Sequence, residues 1–305
     1  MANKATIYPG EMLLYPSLYG PEEYAICVLA CFIGFVMIKH LIFHTGYFWW
    51  YSYGRFYIPD TFWTTVTGKP LSKRLLNYVH NRFPNEQEKK INIEEMLNVV
   101  DDYFKTKEFG PSLSNTKGKI IDGIVSSHMP KSVLVVGCHA GYVLLRIMRN
   151  LPRSSKVIVI ELCKQNLEAA RSLVKMVGMD EQVTFIASEA SSVIPNLALD
   201  YGVDKFDFIF LNRTKHNEPS HLPLLKLLEG EGNKGESYMH SAADSAGDSK
   251  PQTVIIADKV VLLGDPDYLK YVRDSNNYET QYFQMSLEHT SEEIVDGMEK
   301  ATFLG

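Results

Sequence analysis

Five short runs rich in β-branched and aromatic residues lie between residues 132 and 258 and constrain the fold of the chain more than any other feature. Segments with helical spacing, such as KQNLEAARSLVKMVG (164–178), separate these runs. Strands that alternate with helices in this way predict a parallel sheet covered by helices on both faces. The five runs are SVLVVG (132–137), KVIVIE (156–161), QVTFIAS (182–188), FDFIFLN (206–212) and TVIIAD (253–258).

The C-terminal end of the chain completes the predicted sheet. YETQYFQM (278–285) and DGMEKATFL (296–304) follow each other without a helix between them, which predicts an antiparallel pair at one edge. We therefore expect an α/β fold with a doubly wound, mostly parallel seven-stranded sheet, in a domain that spans residues 71–305. Within it, residues 229–252 are rich in Gly, Ser and charge and are predicted to form a flexible insertion.

The N-terminal region contains a long apolar segment. YAICVLACFIGFVMIKHLIF (24–43) carries one formal charge, Lys39, and is close to the minimum length of a transmembrane helix. We predict a single-pass transmembrane helix between an N-terminal segment, residues 1–23, and an aromatic juxtamembrane linker, residues 44–70. A cleaved signal peptide is the alternative, but Glu22 and the glutamate after it stand where such a peptide is basic.

Charge and cysteine usage narrow the function classes. The basic residues nearest the predicted span lie mostly on its C-terminal side, which places the large domain of this membrane protein in the cytosol. A formal net charge of −5 and the lack of a basic stripe exclude nucleic acid as an expected partner. The four cysteines have no metal-ligand spacing and are expected to stay reduced: Cys27, Cys31, Cys138 and Cys163.

Ligands of doubly wound sheets bind at the carboxyl ends of the strands. There, VGCHAGY (136–142) follows the first strand, and its Gly137 and Gly141 allow the backbone to approach a ligand closely. The second strand ends in Glu161, which is placed to accept hydrogen bonds from the ribose hydroxyls of a nucleoside. The alternative for Glu161 is a carboxylate that caps the next helix.

Several segments, in order along the whole domain, resemble the catechol O-methyltransferase family, including its membrane-bound form. The resemblance implies a class I methyltransferase of Rossmann-like fold that transfers a methyl group from S-adenosylmethionine to a catechol-type hydroxyl. The segments are RLLNYVHNR (74–82), TKGKIIDGIV (116–125), VGCHAGY, the strand ending in Glu161, FLNRTK (210–215), IIADKV (255–260), DPDYLKYVR (265–273) and VDGMEKA (295–301).

The resemblance also assigns roles to individual residues. Lys215 matches the general base, and Glu288 matches the acid that contacts the second catechol hydroxyl. The residues expected to bind the cofactor are Leu113, Gly137, His139, Gly141, Tyr142, Glu161, Leu162 and Ser191.

The magnesium site of the family is altered in this chain. Asp258 matches one metal ligand, but Asn212 stands where the family has an aspartate, and Lys259 stands where it has an asparagine. Magnesium favours several hard oxygen donors, and a neighbouring ammonium group would repel it. We therefore do not expect a conventional magnesium site. Lys259 is a candidate to occupy the place of the ion and hold a substrate oxyanion.

Two functions remain open at this point. The first is a membrane-anchored O-methyltransferase that acts on a small catechol or phenol. The second is a catalytically silent methyltransferase-fold protein that binds a membrane-protein partner as a tethered scaffold. Both use the same fold, so only the cofactor and acceptor site can separate them.

Overall fold

A computed structural model describes most of the chain, and its described residues fall into two compact units. The units are Met1–Arg55 and Phe56–Gly305. The first contains helix α1 (Pro21–Leu41). The described residues are 21–41, 55–84, 90–108, 115–213, 220–231, 236–245, 251–261, 264–286 and 295–305.

Helix α1 lies where the transmembrane helix was predicted. Among the helices in the described part of the chain, none is both long and apolar enough to cross a membrane, so the predicted span and single-pass localisation are not confirmed.

The remaining elements build one α/β domain. The strands are β1 (Ser132–Val136), β2 (Lys156–Ile160), β3 (Val183–Ile186), β4 (Phe208–Leu211), β5 (Val254–Asp258), β6 (Tyr278–Ser286) and β7 (Val295–Phe303). The helices are α2 (Arg55–Thr67), α3 (Leu71–Arg82), α4 (Ile93–Thr106), α5 (Asn115–His128), α6 (Tyr142–Met148), α7 (Lys164–Met176), α8 (Ala190–Val193), α9 (Leu197–Tyr201), α10 (His221–Leu228), α11 (Ala242–Ser245) and α12 (Pro266–Asp274), with 3₁₀ turns at Asp180–Gln182 and Ile194–Asn196.

The seven strands form one mixed sheet in the order β3-β2-β1-β4-β5-β7-β6. Strands β1 to β5 run parallel to one another, and β7 pairs antiparallel with both β5 and β6. The predicted seven-stranded, mostly parallel sheet with an antiparallel pair at one edge is confirmed. The strand order reverses between β1 and β4, so the connections that follow these two strands leave the sheet in opposite directions. The crevice between them, at the carboxyl ends of the strands, is where such folds bind ligands.

Hydrophobic cores lie on both faces of the sheet. Along β4, Phe208 and Phe210 point into the core covered by α3 to α7, whereas Ile209 and Leu211 point into the core covered by α10 and α12. All four side chains are fully buried. Alternate residues of a strand face opposite sides, so a strand buried on both faces reads as a continuous apolar run. This explains why the strand runs were visible in the sequence.

The segments predicted as a juxtamembrane linker and as a flexible insertion both contain secondary structure among their described residues. The predicted linker 44–70 includes α2, which contacts α3 through a 3.1 Å ion pair between Arg74 and Asp60. In the predicted flexible insertion 229–252, Tyr238 is only 1% exposed and Met239 forms a β-bridge with Phe206. The described part of the insertion is therefore packed against the domain, because its few apolar side chains fill the core beside β4.

Candidate functional site

The loop between β1 and α6 approaches two other elements so closely that it requires glycine. Gly137 has φ +77°, and a Cβ there would lie 2.9 Å from the backbone oxygen of Asn212. Gly141 has φ +100°, and a Cβ there would lie 2.9 Å from Cα of Ala170 in α7. Both values of φ are costly for other residues. The glycine loop is therefore fixed against the end of β4 on one side and against α7 on the other.

Glu161, directly after β2, connects this loop to the next strand. Its carboxylate accepts hydrogen bonds from the backbone N–H of His139 (2.9 Å) and of Cys163 (3.0 Å). The carboxylate therefore lies between the glycine loop and the start of α7, where the ribose of a nucleoside was predicted to bind. Cys138 is buried beside it, and burial together with Glu161 raises the pKa of its thiol, which keeps this cysteine protonated.

The other predicted cofactor residues occupy different environments. Leu162 is 69% exposed at the open end of β2, and the Ser191 hydroxyl at the start of α8 donates to Glu189 (2.8 Å). Tyr142 is buried, and its hydroxyl accepts a hydrogen bond from Nε of Arg146 (3.1 Å). The phenol of Tyr142 thus belongs to a buried polar contact within α6. Leu113 lies outside the described residues and its role stays a prediction.

A second cluster of side chains lies where β4 and β5 end. Asn212 donates through Nδ2 to the carbonyl oxygen of Gly137 (2.9 Å) and accepts through Oδ1 from Nζ of Lys259 (2.8 Å). The same Nζ donates to Oδ2 of Asp258 (3.1 Å). Lys259 is only 4% exposed. The ammonium group of Lys259 is thus held between the amide and the carboxylate that were predicted as metal ligands.

The backbone of Lys259 supports this placement. Its φ is +59°, in the left-handed region. A residue other than glycine in that region costs about 1 kcal/mol or more, and such strain is concentrated at functional sites.

Behind this cluster, a second lysine pairs with two carboxylates. Nζ of Lys117, in α5, lies 2.5 Å from Oδ1 of Asp258 and 2.6 Å from Oδ2 of Asp296 in β7. Burial by itself would lower the pKa of Lys117, but the two carboxylates outweigh it and raise this pKa. Burial would likewise raise the pKa of Asp258, but Lys117 and Lys259 outweigh it and lower the pKa. Lys117 and Asp258 therefore stay charged and form a buried ion pair.

The residues present do not fit a magnesium ion. Within the described ranges, no group of three or more His, Cys, Asp or Glu side chains could hold a metal. Both carboxylate oxygens of Asp258 and the amide oxygen of Asn212 accept from lysine ammonium groups. Magnesium requires oxygen donors in near-octahedral geometry, and the Lys259 ammonium lies where such an ion would contact these oxygens.

Two predicted catalytic residues cannot be placed. Lys215 and Glu288 both fall outside the described residues. Their roles as general base and as acceptor-binding acid remain predictions.

The structure also shows a cluster that sequence reasoning missed, next to the end of β4. Asp265 accepts from Nδ1 of His221 (2.7 Å), from the backbone N–H of His221 (2.8 Å) and from the hydroxyl of Ser220 (2.5 Å). Arg213 approaches the same carboxylate to 3.6 Å. Burial would raise the pKa of Asp265, but the hydrogen bonds from His221 and Ser220 outweigh it and lower the pKa to about 2. This carboxylate joins the end of β4 to α10 and α12.

We expect Asp265→Asn to lower the free energy of unfolding by about 2 kcal/mol at neutral pH, because the amide carries no charge and keeps only one of the two buried acceptor oxygens. A carboxylate with a lowered folded-state pKa stabilises above its unfolded-state pKa of about 3.9, and loses that effect as pH falls through the folded-state value. The difference from wild type should therefore shrink between about pH 4 and pH 2 in urea unfolding curves.

The exposed Asp267 on the same helix supplies the matched control, and Asp267→Asn should change little. A pH-independent difference for Asp265→Asn would contradict the assignment of its stabilising effect to the ionised carboxylate.

Sequence comparisons relate the chain to known methyltransferases. Residues 89–233 match a family model described as O-methyltransferase. Catechol O-methyltransferase B of Danio rerio is 32% identical over 212 residues, which cover 70% of this chain and 73% of that protein. Catechol O-methyltransferase of Sus scrofa is 32% identical over 199 residues, covering 65% of this chain and 96% of that protein. A transmembrane O-methyltransferase homolog of Rattus norvegicus is 28% identical over 211 residues, covering 69% and 74%.

Solved structures share the fold. The O-methyltransferase TomG from Streptomyces achromogenes, solved with S-adenosylmethionine (SAM), superposes with a TM-score of 0.52 at 19% identity over 69% of this chain and 90% of that one. An O-methyltransferase from Bacillus cereus, solved with S-adenosylhomocysteine (SAH), gives 0.51 at 20% identity over 69% and 90%. The domain therefore has the Rossmann-like methyltransferase fold.

Proposed function

The chain belongs to the O-methyltransferase family that includes catechol O-methyltransferase, and we propose that it is an S-adenosylmethionine-dependent O-methyltransferase that works without a divalent metal ion. One observation carries the proposal: the Lys259 ammonium lies 2.8 Å from Oδ1 of Asn212 and 3.1 Å from Oδ2 of Asp258. By the family resemblance, residues 212 and 258 are the positions whose side chains would bind a metal ion.

Charge bookkeeping supports the replacement of the ion by Lys259. Relative to the family pattern, Asn212 removes one negative charge and Lys259 adds one positive charge. Together they raise the local charge by two, which equals the charge of Mg²⁺. A buried site tolerates such a change only if the total charge stays balanced, because uncompensated buried charge is strongly destabilising. A built-in ammonium group satisfies this condition.

The cofactor half of the proposal rests on the glycine loop and on Glu161. The loop backbone lies at the carboxyl end of β1, and the carboxylate of Glu161 follows β2, as in folds that bind a nucleoside through its ribose hydroxyls. The solved structures with bound SAM and SAH share this fold. These features support S-adenosylmethionine as the cofactor.

The proposed reaction uses the residues at the ends of β4 and β5. Lys215 removes the proton of an acceptor hydroxyl, and an N–H of Lys259 stabilises the resulting oxyanion. An oxygen lone pair then forms the bond to the methyl carbon while the carbon–sulfur pair stays on sulfur, so the sulfonium becomes a thioether. Catalysis rests on positioning and on a preorganised positive charge.

A second function is supported by the same pairing of Asn212, Asp258 and Lys259. These groups bond to one another, so their hydrogen bonds do not depend on a bound metal ion or acceptor. A catalytically silent protein that binds a partner through its fold could therefore keep this cluster. Cofactor binding discriminates between the two, since only the transferase requires it.

The first test is calorimetric titration of S-adenosylmethionine into the full chain. We expect micromolar affinity, and a loss of about 10- to 100-fold in Glu161→Gln, as for removal of a charged hydrogen-bond acceptor. The exposed Glu181 gives the matched control, and Glu181→Gln should bind as wild type does. No detectable binding by the folded wild-type chain would overturn the transferase and favour the silent protein.

A further inference from the structure

The oxygen atoms at the ends of β4 and β5 already accept hydrogen bonds from protein donors. Oδ1 of Asp258 accepts from Lys117, and Oδ2 accepts from Lys259. Oδ1 of Asn212 accepts from Lys259, while its Nδ2 donates to the carbonyl of Gly137. Each carboxylate oxygen of Asp258 thus already accepts from an ammonium group, and the Lys259 ammonium occupies the space between Asp258 and Asn212 that a chelated ion would need.

The ammonium group of Lys259 has one N–H left that can donate a hydrogen bond to an acceptor molecule. A lysine carries three N–H donors, and Asn212 and Asp258 accept from two of them. One donor with one positive charge remains, and it can bind one oxygen. A magnesium ion, by contrast, carries two charges and several exchangeable positions, so it can hold two oxygens of one molecule.

From this count, and resting on the proposed function, we infer that the acceptor presents one ionised oxygen, as an acidic phenol does, and is not bound as a chelating catechol. A single ammonium that is already paired with a carboxylate lowers the pKa of a bound hydroxyl less than a dication does. The acceptor must therefore supply its own acidity. An acceptor that binds already ionised does not need Lys215 as a base, and the step balances: the C–O bond forms, the C–S bond breaks, and phenolate and sulfonium charges cancel.

A matched pair of probes, 4-nitrophenol and 4-nitrocatechol, tests this inference. Both change absorbance when the bound hydroxyl ionises, so binding to the full chain can be followed with EDTA and S-adenosylhomocysteine present and without turnover. We expect 4-nitrophenol to bind within about 3-fold of 4-nitrocatechol. The ratio of kcat/KM for methyl transfer to the two probes should be similarly close to one.

Two variants locate the site. Lys259→Asn should weaken 4-nitrophenolate binding about 10- to 100-fold, the effect of losing one charge-assisted hydrogen bond. Asparagine tolerates the left-handed backbone at this position. The exposed Lys270 in α12 supplies the control, and Lys270→Asn should bind as wild type does.

The outcomes separate this inference from the proposed function. A preference for 4-nitrocatechol of more than about 100-fold in wild type, or binding unaffected by Lys259→Asn, would overturn the inference while S-adenosylmethionine still binds. Absent S-adenosylmethionine binding would overturn the transferase itself. The comparison of the two probes in wild type needs no variant, so a failure of Lys259→Asn to fold does not remove the test.

Discussion

Methyl transfer by the double variant Asn212→Asp and Lys259→Asn is expected to become dependent on magnesium, with a stimulation of about 100-fold or more. The double substitution removes the ammonium that lies between Asn212 and Asp258 and supplies two carboxylates and an amide. Hard oxygen ligands of this kind suit Mg²⁺. Asparagine also fits the left-handed backbone at residue 259, so the turn after β5 should persist.

The single variants are the controls for this experiment. Asn212→Asp alone keeps the ammonium and should form a closer ion pair without any response to magnesium. The measurement is the initial rate of methyl transfer to 4-nitrocatechol across a magnesium titration, with metal affinity followed by calorimetry. A double variant that folds but neither binds nor responds to magnesium would show that Lys259 does not stand in the place of the ion.

The largest loss of stability is expected for Lys117→Met, about 3 to 5 kcal/mol in the free energy of unfolding. Lys117 is 5% exposed and pairs with Asp258 and Asp296, which are 1% and 0% exposed. Methionine fills a similar volume but leaves Asp296 without this cation and Asp258 with one of its two. Breaking a buried ion pair by removing one partner leaves charge in a low-dielectric interior, which costs more than the lost attraction alone.

Lys119→Met supplies the matched control, because Lys119 lies on the same helix and is exposed. Its free energy of unfolding should stay within about 0.5 kcal/mol of wild type, as is usual for surface changes. Urea unfolding at neutral pH measures both variants. A loss below about 1 kcal/mol for Lys117→Met would mean that solvent or another group compensates the two carboxylates.

The sheet could be predicted from the sequence because its strands are buried on both faces. The centre of the run FDFIFLN, FIFL (208–211), has no polar position, so it does not resemble a helix with one apolar face, and β4 coincides with it. The N-terminal segment was harder to interpret. Its composition indicated a span, whereas none of the helices in the described part of the chain is both long and apolar enough to cross a membrane.

The candidate site was predicted only where it follows strand ends. Asn212, Asp258 and Lys259 stand at those ends, so their proximity followed from the fold. Lys117 and Asp296 lie far apart in sequence, and the residues around each do not show whether its side chain is buried or exposed. The sequence carried one indirect signal for these buried charges. Lysine at residue 259 adds a cation to a buried site, and a buried cation requires negative charge close to it.

The Asp265 cluster shows a second limit of sequence reasoning. Its members come from three elements that meet only in the folded domain, and Ser220 and His221 read locally as an ordinary helix start. Only the tertiary contact of α10 with α12 shows that a single carboxylate accepts hydrogen bonds from both residues.

The central claim is that Lys259 replaces a divalent metal ion, and one rate comparison tests it most directly. The measurement is transfer of labelled methyl from S-adenosylmethionine to 4-nitrophenol by the full wild-type chain, once in EDTA and once in saturating magnesium. We predict rates that agree within about 2-fold. A stimulation of more than about 10-fold by magnesium, abolished by EDTA, would contradict the claim.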